Sequence, residues 1–429
     1  MYELGNIKCQ ASNVKTFLFF TFHFPTRLHL IILVAGGLLF NSFLFSQLAY
    51  PLKLQDKLPG ELKTGAQQTE KYFPLIKGKS IAVVAHPASF VKNTHLVDTL
   101  LKSGIKVKKI FAPEHGFRGT EDAGEKIKNA VDVQTGLPVI SLYGKNYKPK
   151  PEDLKDVDII LFDLQDVGAR FYTYLSTLHY VMEACAENKK QLIILDRPNP
   201  NGYFVDGPVL EPKFKSFSGM HPVPIVYGMT IGEYAKMING EKWLANGVQC
   251  NLTVIPVENY SHIDLYQLPV KPSPNLPNMP SVYLYPSLCL FEGTIVSVGR
   301  GTDKPFQQFG YPALIGGNHM FTPQPVTGLS ENPLYNGQAC HGFDVSNYGE
   351  VYVKYYKKIY LYWILNLYKV CVMKDKFFNN YFNSLAGNET LQKQIIAGKT
   401  EEEIRSSWEP DLKKFKEIRK KYLLYPDFE

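Results

Sequence analysis

Asp158-Ile159-Ile160-Leu161-Phe162-Asp163 decides the fold class. The apolar run between its acidic ends shows no alternation, so it reads as a strand covered on both faces, the habit of a parallel sheet. Runs of the same kind lie on either side: Ser80-Ile81-Ala82-Val83-Val84-Ala85 upstream and Gln191-Leu192-Ile193-Ile194-Leu195-Asp196 downstream. Residues 105–112 largely alternate apolar and polar, as a half-buried strand does, and 138–143 and 252–257 add two further strands. Helical patterns separate them. Asn93 or Thr94 caps a helix with Leu96, Val97, Leu100 and Leu101 on one face. Another runs from about Tyr174 to Glu187, and Thr230 with Glu233 opens a third as a capping box. Short apolar strands alternating with helices predict an α/β fold with a mainly parallel sheet and right-handed crossovers.

The 429-residue chain is 45% hydrophobic and 13% aromatic, enough to bury a core and to exclude disorder. Its formal charge of +7 is scattered, and basic residues are not gathered with aromatics in one segment, which argues against nucleic acid as a partner. Residues 1–49 read as a targeting segment. Arg27 precedes an apolar run from Leu30 to Phe40, which continues through Phe43-Leu44-Phe45 to Ser46-Gln47-Leu48-Ala49. That pattern predicts a secretory signal cut near 46–49, hence a secreted or periplasmic protein. An uncleaved anchor is the rival, and only then would the chain contact a membrane; Asn41 and Ser42 interrupt the run and favour the signal. Residues 50–75 form a polar lead-in, 76–305 the larger domain and 306–429 a smaller one. The latter carries clustered prolines, a Tyr-rich segment and a final helix with Leu412, Phe415, Ile418 and Tyr422 on one face. Residues 271–286, rich in Pro, Asn and Ser, read as an irregular loop. The six cysteines lack C-x-x-C spacing and read as mostly buried thiols, although an oxidising compartment permits one bridge.

Three polar clusters end predicted strands: Glu114, His115 and Arg118 within Phe111-Ala112-Pro113-Glu114-His115-Gly116-Phe117-Arg118-Gly119, then residues 163–172, then residues 196–202. In a parallel sheet all carboxyl ends lie along one edge, so the three converge on one crevice. Asp196 and Arg197 read first as a structural pair or a helix cap. A fourth stretch, 285–306, sets glycines around Glu292 and Arg300, where the backbone can approach a ligand or form an interdomain hinge. No G-x-G-x-x-G follows the first strand, where Ala85-His86-Pro87-Ala88-Ser89 stands, and Lys77-Gly78-Lys79-Ser80 lacks the upstream Walker glycine. Neither a nucleotide nor another cofactor is expected. His86, His95, His115 and His221 lack metal-ligand spacing. The missing G-x-S-x-G elbow argues against an ester or amide hydrolase. Acids, amides, an arginine and aromatics suit a sugar. Glycosidic cleavage needs a carboxylic acid for the leaving oxygen and a second group, often a carboxylate. Glu114 is the natural acid: Phe111, Pro113 and Phe117 would desolvate it and favour its protonated form, while Arg118 would act in the opposite sense.

Pro113-Glu114-His115-Gly116, residues 163–172 and 196–202, Pro272-Ser273-Pro274-Asn275-Leu276-Pro277, residues 291–305 and Tyr425-Pro426-Asp427 together resemble, in order, the motifs of the exo-β-N-acetylmuramidases of the NamZ type. The resemblance covers nearly everything after residue 70. It implies a Rossmann-like larger domain without nucleotide and a smaller C-terminal α+β domain. It implies a glycosidase releasing N-acetylmuramic acid from the non-reducing end of peptidoglycan fragments, with Glu114 as general acid/base and no metal. The lactyl carboxylate of muramic acid calls for a guanidinium, and Arg118, Arg170 and Arg300 are the candidates. Asp163, Asp166 and Glu292 compete for the role of second catalytic group or hydroxyl acceptor. His115, Gln165, Tyr172, Asn199, Asn201 and Asn275 complete the expected substrate set. The alternative is a non-catalytic cell-wall sugar-binding protein. The chain departs from the family pattern at 352–372, which is unusually aromatic, and in its extension before Arg27.

Overall fold

The six runs read as strands, joined by a two-residue edge strand that the sequence did not mark, assemble into one seven-stranded sheet. In chain order these are β1 (Ser80–Ala85), β2 (Lys106–Ala112), β3 (Ala130–Val131), β4 (Pro138–Ser141), β5 (Ile159–Asp163), β6 (Gln191–Leu195) and β7 (Asn251–Ile255), in the spatial order β3-β4-β2-β1-β5-β6-β7. The structure, a computed structural model, describes residues 60–118, 130–327 and 329–429, with the backbone alone for 352–354. The expected signal segment, the start of the lead-in and Gly119 lie outside the described residues.

Every pairing is parallel except that of the two-residue edge strand β3 with β4. The chain builds outward from β1 to β2 and β4, then returns to the other side of β1 to lay down β5, β6 and β7. The strand order thus reverses between β1 and β5, as in a Rossmann-like sheet. All five residues of β5 are buried, as its unbroken apolar run requires. Alternate residues serve opposite faces. Ala82, Val84, Ile160, Phe162, Leu192 and Ile194 face the larger core, whereas Ile81, Val83, Leu161, Ile193 and Leu195 face the smaller one.

Helix α1 (Leu96–Lys102) closes the smaller core with Leu96, Val97 and Leu100. Its cap is His95, whose Nδ1 accepts from the Val97 N–H at 3.3 Å. The expected Thr94 instead pairs with Val91 in a two-residue ribbon. Helices α2 (Tyr174–Glu187) and α3 (Ile231–Gly240) lie as read, and the Thr230–Glu233 capping box is formed. The loop expected at 271–286 is corrected in its second half. Helix α4 (Met279–Leu288) begins there, because Asn278 accepts from Ser281 N–H at 3.1 Å and Pro280 occupies the first turn, where its missing N–H is harmless.

The C-terminal part is a three-stranded antiparallel sheet, β8 (Gln308–Tyr311), β9 (His319–Phe321) and β10 (Cys340–Asp344), with β10 central. Helices α5 (Leu361–Val370), α6 (Phe382–Ala386) and α7 (Glu401–Lys420) follow. Phe415 of α7, with Leu412, Ile418 and Tyr422, packs on the same core as α2 and α3, so both parts share one apolar interior. The five described cysteines, Cys185, Cys250, Cys289, Cys340 and Cys371, are buried and unbridged.

The crevice at the strand-order reversal is filled by protein. Arg197 donates to both oxygens of Asp163, through Nε at 2.6 Å and a terminal nitrogen at 2.8 Å, and both side chains are buried. Removing one partner of such a pair strands the other's charge, at a cost of about 3–5 kcal/mol. Asp163→Ala is therefore expected to lower the urea midpoint sharply. The double variant Asp163→Leu/Arg197→Met, which buries no charge, should unfold at a higher urea concentration than the single one.

Candidate active site

Pro113 ends β2, and the chain turns sharply at His115, φ 72°, and Gly116, φ 76°. A left-handed histidine is uncommon and marks a turn held by its surroundings. The turn projects Glu114 beyond the sheet edge. Thr173, the residue before α2, donates its hydroxyl to Glu114 Oε2 at 2.6 Å. The Tyr174 hydroxyl meets the Glu114 carbonyl at 3.3 Å and His86 Nδ1 at 3.3 Å. His86 Nε2 in turn accepts from the Gln165 N–H at 2.9 Å. The catalytic candidate is thus held at both its carboxylate and its backbone.

Glu114 opens into a cavity of about 630 Å³ built from both parts of the chain. Tyr143, Tyr147 and Phe217 form an aromatic wall, with the Tyr147 and Phe217 rings 4.1 Å apart between centroids. The lining also holds Glu292, which accepts from Arg300 Nε at 2.5 Å and lies 3.5 Å from the Cys289 thiol. Arg300 also sits 5.0 Å over the Phe306 ring. Burial disfavours its charge, but the Glu292 carboxylate outweighs that and holds the guanidinium protonated.

The polar groups of the cavity feel one another. The Tyr143 hydroxyl is pushed up by burial and then by the charge of Glu114. The Tyr381 hydroxyl is pushed up to about 12, by burial first; its bond to Ser218 opposes this, and the charges of Glu292 and Glu114 both add to it. Two carboxylates therefore face one space. Burial and Arg300 lower His115 while Glu114 raises it; the net is downward, so its imidazole is neutral at pH 7. His115 Nδ1 is buried without a partner among the described residues.

The cavity gathers Glu114, His115, Tyr172, Asn275, Glu292 and Arg300 of the expected set. The others lie elsewhere. Asp163 is locked to Arg197. Asp166 is buried, with Oδ2 accepting from Gly168 N–H at 2.7 Å and from the Tyr227 hydroxyl. Arg118 turns away from Glu114 to bind Asp98 and Asp132, with contacts of 2.8–3.1 Å. Arg170 is buried and donates to the Pro208, Val223 and Leu385 carbonyls. Gln165 donates to the Asp166 and Pro198 carbonyls, Asn199 to Met229, and Asn201 to Val167 and Val282. These six side chains, with Asp163, are engaged by other parts of the protein and do not line the cavity. Thr173, Tyr143, Tyr147, Phe217 and Tyr381 were not singled out from the sequence. Thr173 follows the quoted 163–172 cluster directly and Tyr143 ends a predicted strand on the same edge, so the carboxyl-end rule reaches both. Tyr147, Phe217 and Tyr381 lie in irregular chain without a periodic signal.

Two carboxylates, an arginine and an aromatic wall in one cavity on the carboxyl edge of a parallel sheet define the layout of a sugar-cleaving enzyme. Residues 81–280 match the family described as Exo-beta-N-acetylmuramidase NamZ, N-terminal, and residues 283–425 its C-terminal counterpart. The Peptidoglycan beta-N-acetylmuramidase NamZ of Bacillus subtilis (strain 168) is 37% identical over 418 residues, 91% of this chain and 98% of that protein. A crystal structure of a DUF1343 family protein from Bacteroides fragilis NCTC 9343 superposes with a TM-score of 0.80 at 46% identity, covering 86% of this chain and all of the other. A second from the same source gives 0.72 at 28% identity, covering 85% and 99%. The chain belongs to the exo-β-N-acetylmuramidase NamZ family and is a glycoside hydrolase.

Burial raises the Asp166 carboxyl to about 6, against the bonds from Tyr227 and from the Gly168 and Val167 N–H groups. Its unfolded value is near 3.9, so the folded state holds the extra proton between about pH 4 and 6, and this contribution to stability is lost as pH rises through that window. Asp166→Asn is expected to gain up to about 3 kcal/mol on the wild type between pH 4 and pH 7. Thermal unfolding of both proteins across that range measures the difference.

Proposed function

We propose that the protein is an exo-acting glycosidase that releases N-acetylmuramic acid from the non-reducing end of peptidoglycan fragments, with Glu114 as general acid/base. The observation that carries this reading is the Glu114 carboxylate, oriented by Thr173 in the cavity that also holds the Glu292–Arg300 pair. The activity named for the Bacillus subtilis relative supports the substrate class.

Glu114 protonates the glycosidic oxygen as the bond to the anomeric carbon breaks, and water supplies the oxygen that replaces the leaving group on that carbon. Of the three carboxylates that compete for the second catalytic role, Glu292 lines the cavity with Glu114, whereas Asp163 and Asp166 do not, and Glu292 takes that role. With Nε engaged by Glu292, Arg300 meets the lactyl carboxylate through its terminal nitrogens. Tyr143, Tyr147 and Phe217 offer ring faces to the sugar, and the neutral His115 bonds a substrate polar group. A Glu114→Gln variant is expected to melt as the wild type does and to lose at least about 100-fold in kcat on an aryl β-N-acetylmuramide. Undiminished turnover would sink the assignment.

Export follows from the same reading, because peptidoglycan lies outside the cytoplasmic membrane. The support is the Arg27-flanked apolar run ending at Ser46–Ala49. Fractionation followed by N-terminal sequencing should find a mature chain beginning near residues 47–50. An intact Met1 on a cytoplasmic protein is the contrary result.

A further inference from the structure

Asn275 stands in the cavity wall on a tight turn closed by the Leu276 N–H, which donates to the Ser273 carbonyl at 3.1 Å. The Tyr172 hydroxyl anchors the turn through the Pro272 carbonyl at 2.9 Å. Asn275 is only 3% exposed. Its Nδ2 donates to the Leu329 carbonyl at 2.8 Å. A carbonyl oxygen can only accept, so the amide nitrogen must face Leu329 and the orientation of the side chain is fixed. Oδ1 is therefore turned away from Leu329, and it is buried with no partner among the described residues. Buried acceptors are normally paired, and one left open in a cavity wall awaits a donor from the ligand.

The neighbourhood of that oxygen selects the donor. Leu276, Leu329 and Tyr172 line the cavity beside it, and the nearby Leu329 carbonyl is a further acceptor. A hydroxyl would bring lone pairs that need donors in return. An amide N–H brings a donor alone: in a trans amide the acetyl methyl lies on the N–H side, towards the apolar wall, and the carbonyl oxygen points the opposite way. His115 Nδ1, the other buried atom without a partner in the cavity lining among the described residues, makes no such selection, because it donates or accepts according to tautomer.

We propose that Asn275 Oδ1 accepts the N–H of the sugar's 2-acetamido group, making Asn275 the residue that selects acetamido sugars over 2-hydroxy sugars. This rests on the muramidase reading above. The test compares kcat/KM for an aryl β-N-acetylmuramide and for its 2-hydroxy analogue, the aryl 3-O-lactyl-β-glucoside. The wild type is expected to prefer the acetamido substrate by at least about 10-fold, the effect of one buried hydrogen bond made or left open. Asn275→Ala should remove that preference, lowering the acetamido value about 10-fold or more while leaving the hydroxy value within about 3-fold. Equal losses on both substrates, or a preference that survives, overturns the proposal. Where Asn275→Ala lowers the melting temperature, Asn275→Ser carries the same comparison. A wild type that cleaves neither substrate contradicts the muramidase reading alone. Calorimetric titration with free N-acetylmuramic acid and 3-O-lactylglucose then decides the role of Asn275: a difference in Kd that vanishes in the variant supports it, and no difference in the wild type overturns it.

Discussion

Asp163 ends β5 at the point where the sheet reverses its strand order, and Arg197 reaches it from the turn after β6. In open α/β sheets that point is the usual ligand crevice. Here a bidentate ion pair fills it, and Arg197 also touches the Phe90 carbonyl at 3.3 Å. The rest of the carboxyl edge is arranged around this plug. His86, just past β1, is packed beside it, kept neutral first by burial and then by the Arg197 charge. A neutral His86 accepts from Gln165 and meets Tyr174, and Tyr174 holds the backbone of Glu114. The working cavity is thereby displaced from the sheet's centre towards the end of β2.

One residue before Arg197, Asp196 gathers a second set of elements. It accepts from Arg197 and Gly232 N–H groups at 3.0 and 2.8 Å, from the Thr230 hydroxyl at 2.7 Å and from the Tyr425 hydroxyl at 2.5 Å. The end of β6, the start of α3 and the C-terminal tail thus meet on a single carboxylate. Burial raises it to about 6, while its donors from Tyr425, Thr230 and Gly232 pull the other way. Such a group holds geometry more than it adds stability.

The sheet was legible because β5 and its neighbours are unbroken apolar runs, and burial on both faces leaves that trace in any sequence. The start of α4 was not, because its Pro and Asn content resembles a loop even though both residues sit where a helix begins. The site was legible by edge but not by side chain. Strand ends say which edge a residue reaches, not whether it faces the cavity or the interior. Glu114 escapes the interior because it lies past the strand in a turn. Asp163 does not, being the strand's last residue. The partners that hold Arg118 and Arg170 are set by tertiary packing: Asp132 is 14 residues away from Arg118, and the Leu385 carbonyl is 215 residues away from Arg170. Local pattern carries no information at that range.

Arg170 has a further consequence for how the cavity works. It is a fully buried guanidinium without a carboxylate partner among the described residues, lowered to about 9 by burial, and it depends on three backbone carbonyls. One of them belongs to Leu385 in α6, the helix that follows Tyr381 of the cavity wall. Swinging α6 outward would leave a cation in an apolar interior with fewer acceptors. That carbonyl ties the wall α6 supports to a buried cation, so an outward swing of α6 carries an electrostatic cost as well as the loss of apolar packing.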